Sequence, residues 1–292
     1  MADTMASMAT KPTITPATPA TLATPATLAG ERSVVSPVRE ILRDVARAGF
    51  AGAIVGIVVA GLGGRLAMRL AAILQPDSVG RFTENANRIG DITFLGSLGL
   101  VLVGLVIGLV GGTIWVVVSP WTPGTGLRRA IITMPMAVAF GSRSLVEGDN
   151  RDFQILQHDP LVVASLIVLV ALAGLTLPLT YDWLGRRLPH ATSGRSGATW
   201  LYAIIALLGA FLILPIVLGG YLFTAHQATV RVGFALLVVG LSTLIWWVLR
   251  IRGRAEPPTI LTIVGRTALL FAVILGFAAT VPEVSIALGM TR

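Results

Sequence analysis

The chain has 292 residues, 54% of them hydrophobic and only 12% charged, with a formal net charge of +8 and a mean hydropathy of +0.83. That balance excludes an ordinary water-soluble globular domain. The lack of any cysteine excludes disulfides, thiolate metal sites, iron–sulfur clusters and cysteine nucleophiles. No nucleic-acid partner is expected either, because the arginines form short clusters between apolar runs rather than one basic, aromatic-interleaved domain.

Residues 1–33 are rich in Ala, Thr and Pro and repeat nearly the same motif across Pro19–Ala29, so they are expected to be a disordered tail. They lack the basic start and prompt apolar run of a signal peptide. Ser36 then offers an N-cap and Pro37 a first helical residue. Val38, Ile41, Leu42 and Val45 share one face, with Arg39, Arg43, Arg47, Glu40 and Asp44 on another. Residues 34–47 are therefore expected to form an interfacial amphipathic helix, drawn to anionic headgroups, that leads into a transmembrane domain over 48–292.

The first span is expected over Gly49–Leu74. Gly52, Gly56, Ala60 and Gly64 recur at every fourth position, which puts them on one face and predicts a close helix contact. Arg65 and Arg69 are also four apart and point the same way. Two readings follow. Either the apolar span ends near Gly64 and both arginines snorkel to the headgroups, or they line a polar cavity within the bundle. After a polar loop over Gln75–Asp91, a second span is expected over Thr93–Ser119, with Gly104, Gly108 and Gly112 as a matching stripe and Trp115 and Trp121 at the headgroup level. The two glycine stripes are expected to pack together.

Ala130–Val146 is the ambiguous piece, short for a crossing and bent by Pro135. Further spans are expected near 161–184, 199–223, 232–249 and 260–280. If 130–146 crosses, Arg32, Arg39, Arg43, Arg47, Arg128, Arg129, Arg186, Arg187, Arg195, Arg250, Arg252 and Arg254 all fall on one side. Opposite them stand only Arg81, Arg88, Arg143, Arg151 and Arg292, with Arg231 at a boundary. If it does not cross, that bias disappears. The positive-inside rule thus favours an all-α polytopic bundle of seven spans, with six spans plus a re-entrant helix as the alternative. It puts the N-terminus in the cytoplasm and the C-terminus outside a cell membrane.

In that topology Glu147, Asp149 and Asp152 of the EGDNRD stretch lie on the outer face, as do Arg65, Arg69 and Glu283. Guanidinium groups bind carboxylates through a bidentate fork, so these six residues are the candidate binding cluster, the alternative being a solvated acidic loop. A calcium site is not expected, because EGDNRD lacks the EF-hand spacing and its terminal glutamate. His158, His190 and His226 fall in loops or at span ends, which argues against paired haem ligation. No cofactor and no metal are expected. No serine–histidine–acid set, HExxH or P-loop occurs, and GLGGRL follows no strand, so no catalytic residues are assigned.

Gly63–Leu70 (GGRLAMRL), the stripe Gly104–Gly112 and Asp152–Phe153 with Pro160 resemble uncharacterised multi-pass membrane proteins of high-GC bacteria. The resemblance covers roughly 46–173 and implies a bacterial membrane protein without implying an activity. Three functional classes stay open: a transporter or channel with a polar outer cavity around Arg65 and Arg69; a scaffold or assembly subunit, or a homo-oligomer, joined through the glycine faces; and a lipid-acting enzyme built on an acid such as Asp152. The lipid bilayer is the one partner that all three share.

Overall fold

The computed structural model describes residues 37–81, 93–146, 159–188 and 227–290, together with the isolated positions Trp200, Ile204 and Leu207. These residues are helical, with no strand among them. The first helix is α1 (Pro37–Val55), which continues without a break through a π-helical segment (Gly56–Leu62) into α2 (Gly63–Leu74). Then come α3 (Phe94–Val118), α4 (Gly126–Leu145), α5 (Pro160–Arg187), α6 (Gln227–Ile251) and α7 (Thr259–Ala287). Five helices are long and apolar enough to cross a membrane: Pro37–Leu74, Phe94–Val118, Pro160–Arg187, Arg231–Ile251 and Thr259–Ala287. Their outer surfaces are aliphatic, with Leu95 77%, Ile260 76% and Leu66 72% exposed. An apolar surface of that extent requires a partner other than water.

Local chemistry explains the boundaries. Thr93 caps α3 by accepting from the Gly96 N–H at 3.1 Å, and Asp159 caps α5 by accepting from the Leu161 N–H at 2.8 Å ahead of Pro160. Gly124 and Gly126 have φ of 89° and 53°, which lets the turn between α3 and α4 reverse tightly. Residues 37–47 do not form a separate interfacial element. They are the opening turns of the same helix that carries the first span, and their charged face lies against the ends of α5 and α6.

The bundle is assembled in antiparallel pairs. The long first helix lies along α3 and also touches α5 and α6; α4 pairs with α5, and α7 packs on α6 and α4. Gly174 of α5 fits against Ala137 and the Thr133 carbonyl, and Gly141 of α4 against Val170. Thr280 of α7 donates to the Ala139 carbonyl at 3.3 Å beside Gly276. The principal core gathers Trp115, Trp121, Tyr181, Trp246 and Leu269, and a smaller cluster of Val146, Val163 and Ala287 closes the other end. α4 runs from one cluster to the other: Arg129 at its start lies over the Trp115 ring, and Val146, just past its end, packs on Val163 and Ala287.

The expectation for the tryptophans is corrected. Trp115 and Trp121 are 1% and 0% exposed and face inward, so they are core rather than a lipid-facing belt. Trp121 donates from Nε1 to Thr243 Oγ1 at 2.8 Å, satisfying its polar atom inside the bundle. Thr243 in turn donates to the main chain, its hydroxyl lying 2.7 Å from the Val117 carbonyl and 3.0 Å from that of Val239. Trp183, which the sequence reading passed over, is 45% exposed at the same end of the bundle. The span expected at 199–223, the tail 1–33 and the three histidines lie outside the described residues.

Candidate functional site

Two glycine stripes meet face to face. A Cβ at Gly52 would collide with the Gly108 carbonyl, one at Gly56 with the Gly104 carbonyl, and one at Gly112 with the Ala48 carbonyl. Only hydrogen fits at these positions, and the two backbones touch as small-xxx-small packing requires. Beyond Gly56 the expected register fails. A Cβ at Gly64 meets nothing within 4 Å, whereas one at Gly61 would lie 3.0 Å from Val101 Cα. The cause is the π segment, where the Gly63 N–H reaches back to the Val58 carbonyl, five residues earlier. One residue is accommodated without advancing the face, so the stripe runs 48, 52, 56, 61 instead of 48, 52, 56, 60, 64. Because this chain closes its own seam, Gly52, Gly56, Gly104, Gly108 and Gly112 are not an open face for another subunit.

At the end where α1 starts and α5 and α6 finish, arginines tie the helices together. Arg43 donates to the Gly185 and Leu188 carbonyls at 3.0 and 2.9 Å, filling the open C-terminus of α5. Arg47 donates to the Tyr181 carbonyl at 2.6 Å, pairs with Asp182 at 3.3 Å and lies 3.5 Å above the Tyr181 ring. Arg129 lies 4.7 Å over the Trp115 ring and donates to the Ser119 carbonyl at the end of α3. Arg250 of α6 bridges Glu40 and Asp44 of α1, each at 3.0 Å. Sequence reasoning took these arginines as flanking charge; the sign it passed over is Tyr181-Asp182, polar residues in the last turns of a span and in reach of Arg47. Arg128, Arg186, Arg187, Arg252 and Arg254 remain on the surface, Arg187 lying 5.4 Å over the exposed Trp183 ring.

The other end holds the described members of the expected binding cluster. Arg65 is half-buried on α2, Arg69 exposed one turn on, and Glu283 half-buried near the end of α7. Each takes part in a polar or electrostatic interaction. Arg65 is the rung after Gly61: its two Nη atoms lie 3.8 and 3.9 Å from where a Cβ on Gly96 would stand, in the cleft between α2 and the first turn of α3. Glu147, Asp149 and Asp152 lie outside the described residues. Close by, Gln75 Nε2 donates to Asp159 Oδ2 at 3.0 Å, joining the end of α2 to the start of α5. That bond and the Leu161 N–H hold the Asp159 carboxyl below the usual carboxylate range. Among the described residues no group of three His, Asp or Glu side chains is placed to hold a metal.

The chain matches no protein-family model, and comparison with curated proteins and with solved structures likewise finds no match.

Proposed function

We propose that the protein is a multi-pass cell-membrane bundle that admits a small anion at its Arg65 end, in a transporter or channel-like role, and is closed at its opposite, cytoplasmic end. The observation that carries this reading is the position of Arg65. Its guanidinium sits between two helices at the point where the glycine seam ends, and ionisable groups held inside a membrane bundle usually mark a solute path. It also stands beside the first turn of α3, whose free N–H groups carry partial positive charge. An anion would relieve both.

Seven crossings, with the N-terminus cytoplasmic and the C-terminus outside, are part of the proposal. The course of α4 between the two core clusters supports its crossing. The convergence of Arg39, Arg43, Arg47, Arg128, Arg129, Arg186, Arg187, Arg250, Arg252 and Arg254 on helix ends near Trp115 supports that end as the cytoplasmic one. The likeness of Gly63–Leu70 to proteins of high-GC bacteria is in keeping with a bacterial membrane and adds no activity.

The test is ligand-induced stabilisation. Inorganic phosphate, chloride and acetate are titrated against the protein in lipid nanodiscs while its thermal midpoint is followed. At least one anion raises the midpoint of the native chain, and the rise is lost in Arg65→Gln and kept in Arg128→Gln. No rise with any of them, or an undiminished rise in Arg65→Gln, overturns the reading. Labelling of single cysteines introduced at 125 and 150 tests the topology, which requires them on opposite sides.

A further inference from the structure

The long helix carries two small-residue frames from Gly56 onward, and the structure uses one of them. In the observed frame the π segment turns Gly61 toward α3 and brings Arg65 to Gly96. In an uninterrupted α-helix the residues four and eight beyond Gly56 would face α3 instead, and these are Ala60 and Gly64. Both are small enough for the approach. The position that Ala60 would take is the one Gly61 now holds, where a Cβ lies 3.0 Å from Val101 Cα and 3.3 Å from the Leu100 carbonyl, contacts that a shift of a few tenths of an ångström relieves. Gly64 would stand where Arg65 now does, with no side chain to clear.

We infer that the π segment is a register switch: when its extra residue is taken up into regular α-helix, α2 turns by about 100° and advances by about 1.5 Å, withdrawing Arg65 from the cleft. Each residue of α2 then points where its successor points now. Arg65 takes the direction of Leu66, 72% exposed, and Arg69 that of Leu70, 40% exposed. The cavity-lining and the snorkelling positions of the two arginines become two states of one helix. π segments suit this role because their bonding is a one-residue insertion that can be lost without breaking the helix on either side. As regulation of the anion site the switch rests on the function proposed above; as a property of the helix it stands alone.

The cysteine-free chain allows a direct test by oxidative cross-linking in nanodiscs. The pair Gly61→Cys with Val101→Cys reports the observed frame, and Gly64→Cys with Ser97→Cys the alternative. Both pairs cross-link in otherwise native protein, and inorganic phosphate favours the first at the expense of the second. Gly61→Leu keeps the protein folded, because the leucine moves to the exposed direction of Leu62, and it raises the 64–97 yield severalfold. Deleting Val59 removes the extra residue, fixes the observed frame in plain α-helix and abolishes the 64–97 product. A silent 64–97 pair in both the native and Gly61→Leu backgrounds, or an unfolded Gly61→Leu, overturns the switch. If phosphate binding through Arg65 persists in that case, the anion site survives without it; if both frames cross-link in a protein that binds no anion, the switch survives without the site.

Discussion

On the Ala48 side of the π segment, the long helix and α3 meet through backbone atoms, with the Gly108, Gly104 and Ala48 carbonyls set against the opposing glycines. On the Arg65 side, Gly64 and Gly99 have nothing among the described residues within 4 Å of a built Cβ, and a guanidinium occupies the cleft. The same helix pair is thus locked over one half and open over the other. The difference follows from what fills the rungs. Glycine against glycine brings carbonyls and Cα hydrogens into contact over several turns, whereas an arginine at the next rung holds the backbones apart and brings a charge whose desolvation must be offset. The locked half is also where Arg43, Arg47, Arg129 and Arg250 fasten helix ends. A bundle built this way has one fixed end against which the other can move.

The contrast breaks most readily at the seam. Gly108→Leu drives a side chain into the Gly52 carbonyl, where no flexible atom can yield, and is expected to cost about 3 kcal/mol or more. The same change at Gly99, open among the described residues, is expected to cost less than about 1 kcal/mol. Unfolding by graded SDS in mixed micelles measures both, and equal losses would show that the two halves are packed alike. Arg47→Ala comes next. It removes the Tyr181 carbonyl bond, the Asp182 pair and the ring contact together, with an expected loss of about 2 kcal/mol. Arg128→Ala, exposed nearby, leaves the midpoint unchanged within error.

Much of this was legible in the sequence, and the limits have physical causes. The helices and the pairing of the two glycine stripes follow from hydropathy and fourfold spacing, both local properties. The exchange of Gly64 for Gly61 could not be read, because a π insertion leaves the sequence period unchanged and is favoured only by the contact it improves. Trp115 and Trp121 lie at the chain positions of a headgroup belt, yet whether an indole points into lipid or into the core depends on rotation about the helix axis. That rotation is set here by Tyr181, Thr243 and Gly265 on other helices. Arg43 and Arg47 were visible as charges and invisible as caps, since the carbonyls they fill lie well over a hundred positions away.

Smaller effects sharpen the picture of the fixed end. Trp121→Phe keeps the packing against Gly265 and loses the bond to Thr243, for an expected cost of about 1 kcal/mol. Because the Thr243 hydroxyl remains bonded to main-chain carbonyls, the change leaves it satisfied. Arg250 with Glu40 and Asp44 is partly solvated, so Arg250→Gln is expected to cost at most about 1 kcal/mol, and the loss shrinks as salt is raised. If the loss is insensitive to salt, packing of the arginine stem matters more than its charge.

The smallest effect belongs to the open end and reads as a pH dependence. Asp159 caps α5 and accepts from Gln75, and both bonds favour its ionised form, so its carboxyl titrates lower in the folded protein than in the unfolded chain. A group depressed in this way adds stability above its unfolded-state pKa and loses it as the pH falls through the folded-state value. The thermal midpoint of the native chain therefore exceeds that of Asp159→Asn by a constant margin near neutral pH, and the margin closes as the pH drops through and below the ordinary carboxylate range. Gln75→Leu removes the stronger of the two bonds and moves the closing of the margin to higher pH. A margin that stayed constant into acid would mean that the carboxylate's charge plays no part in joining α2 to α5.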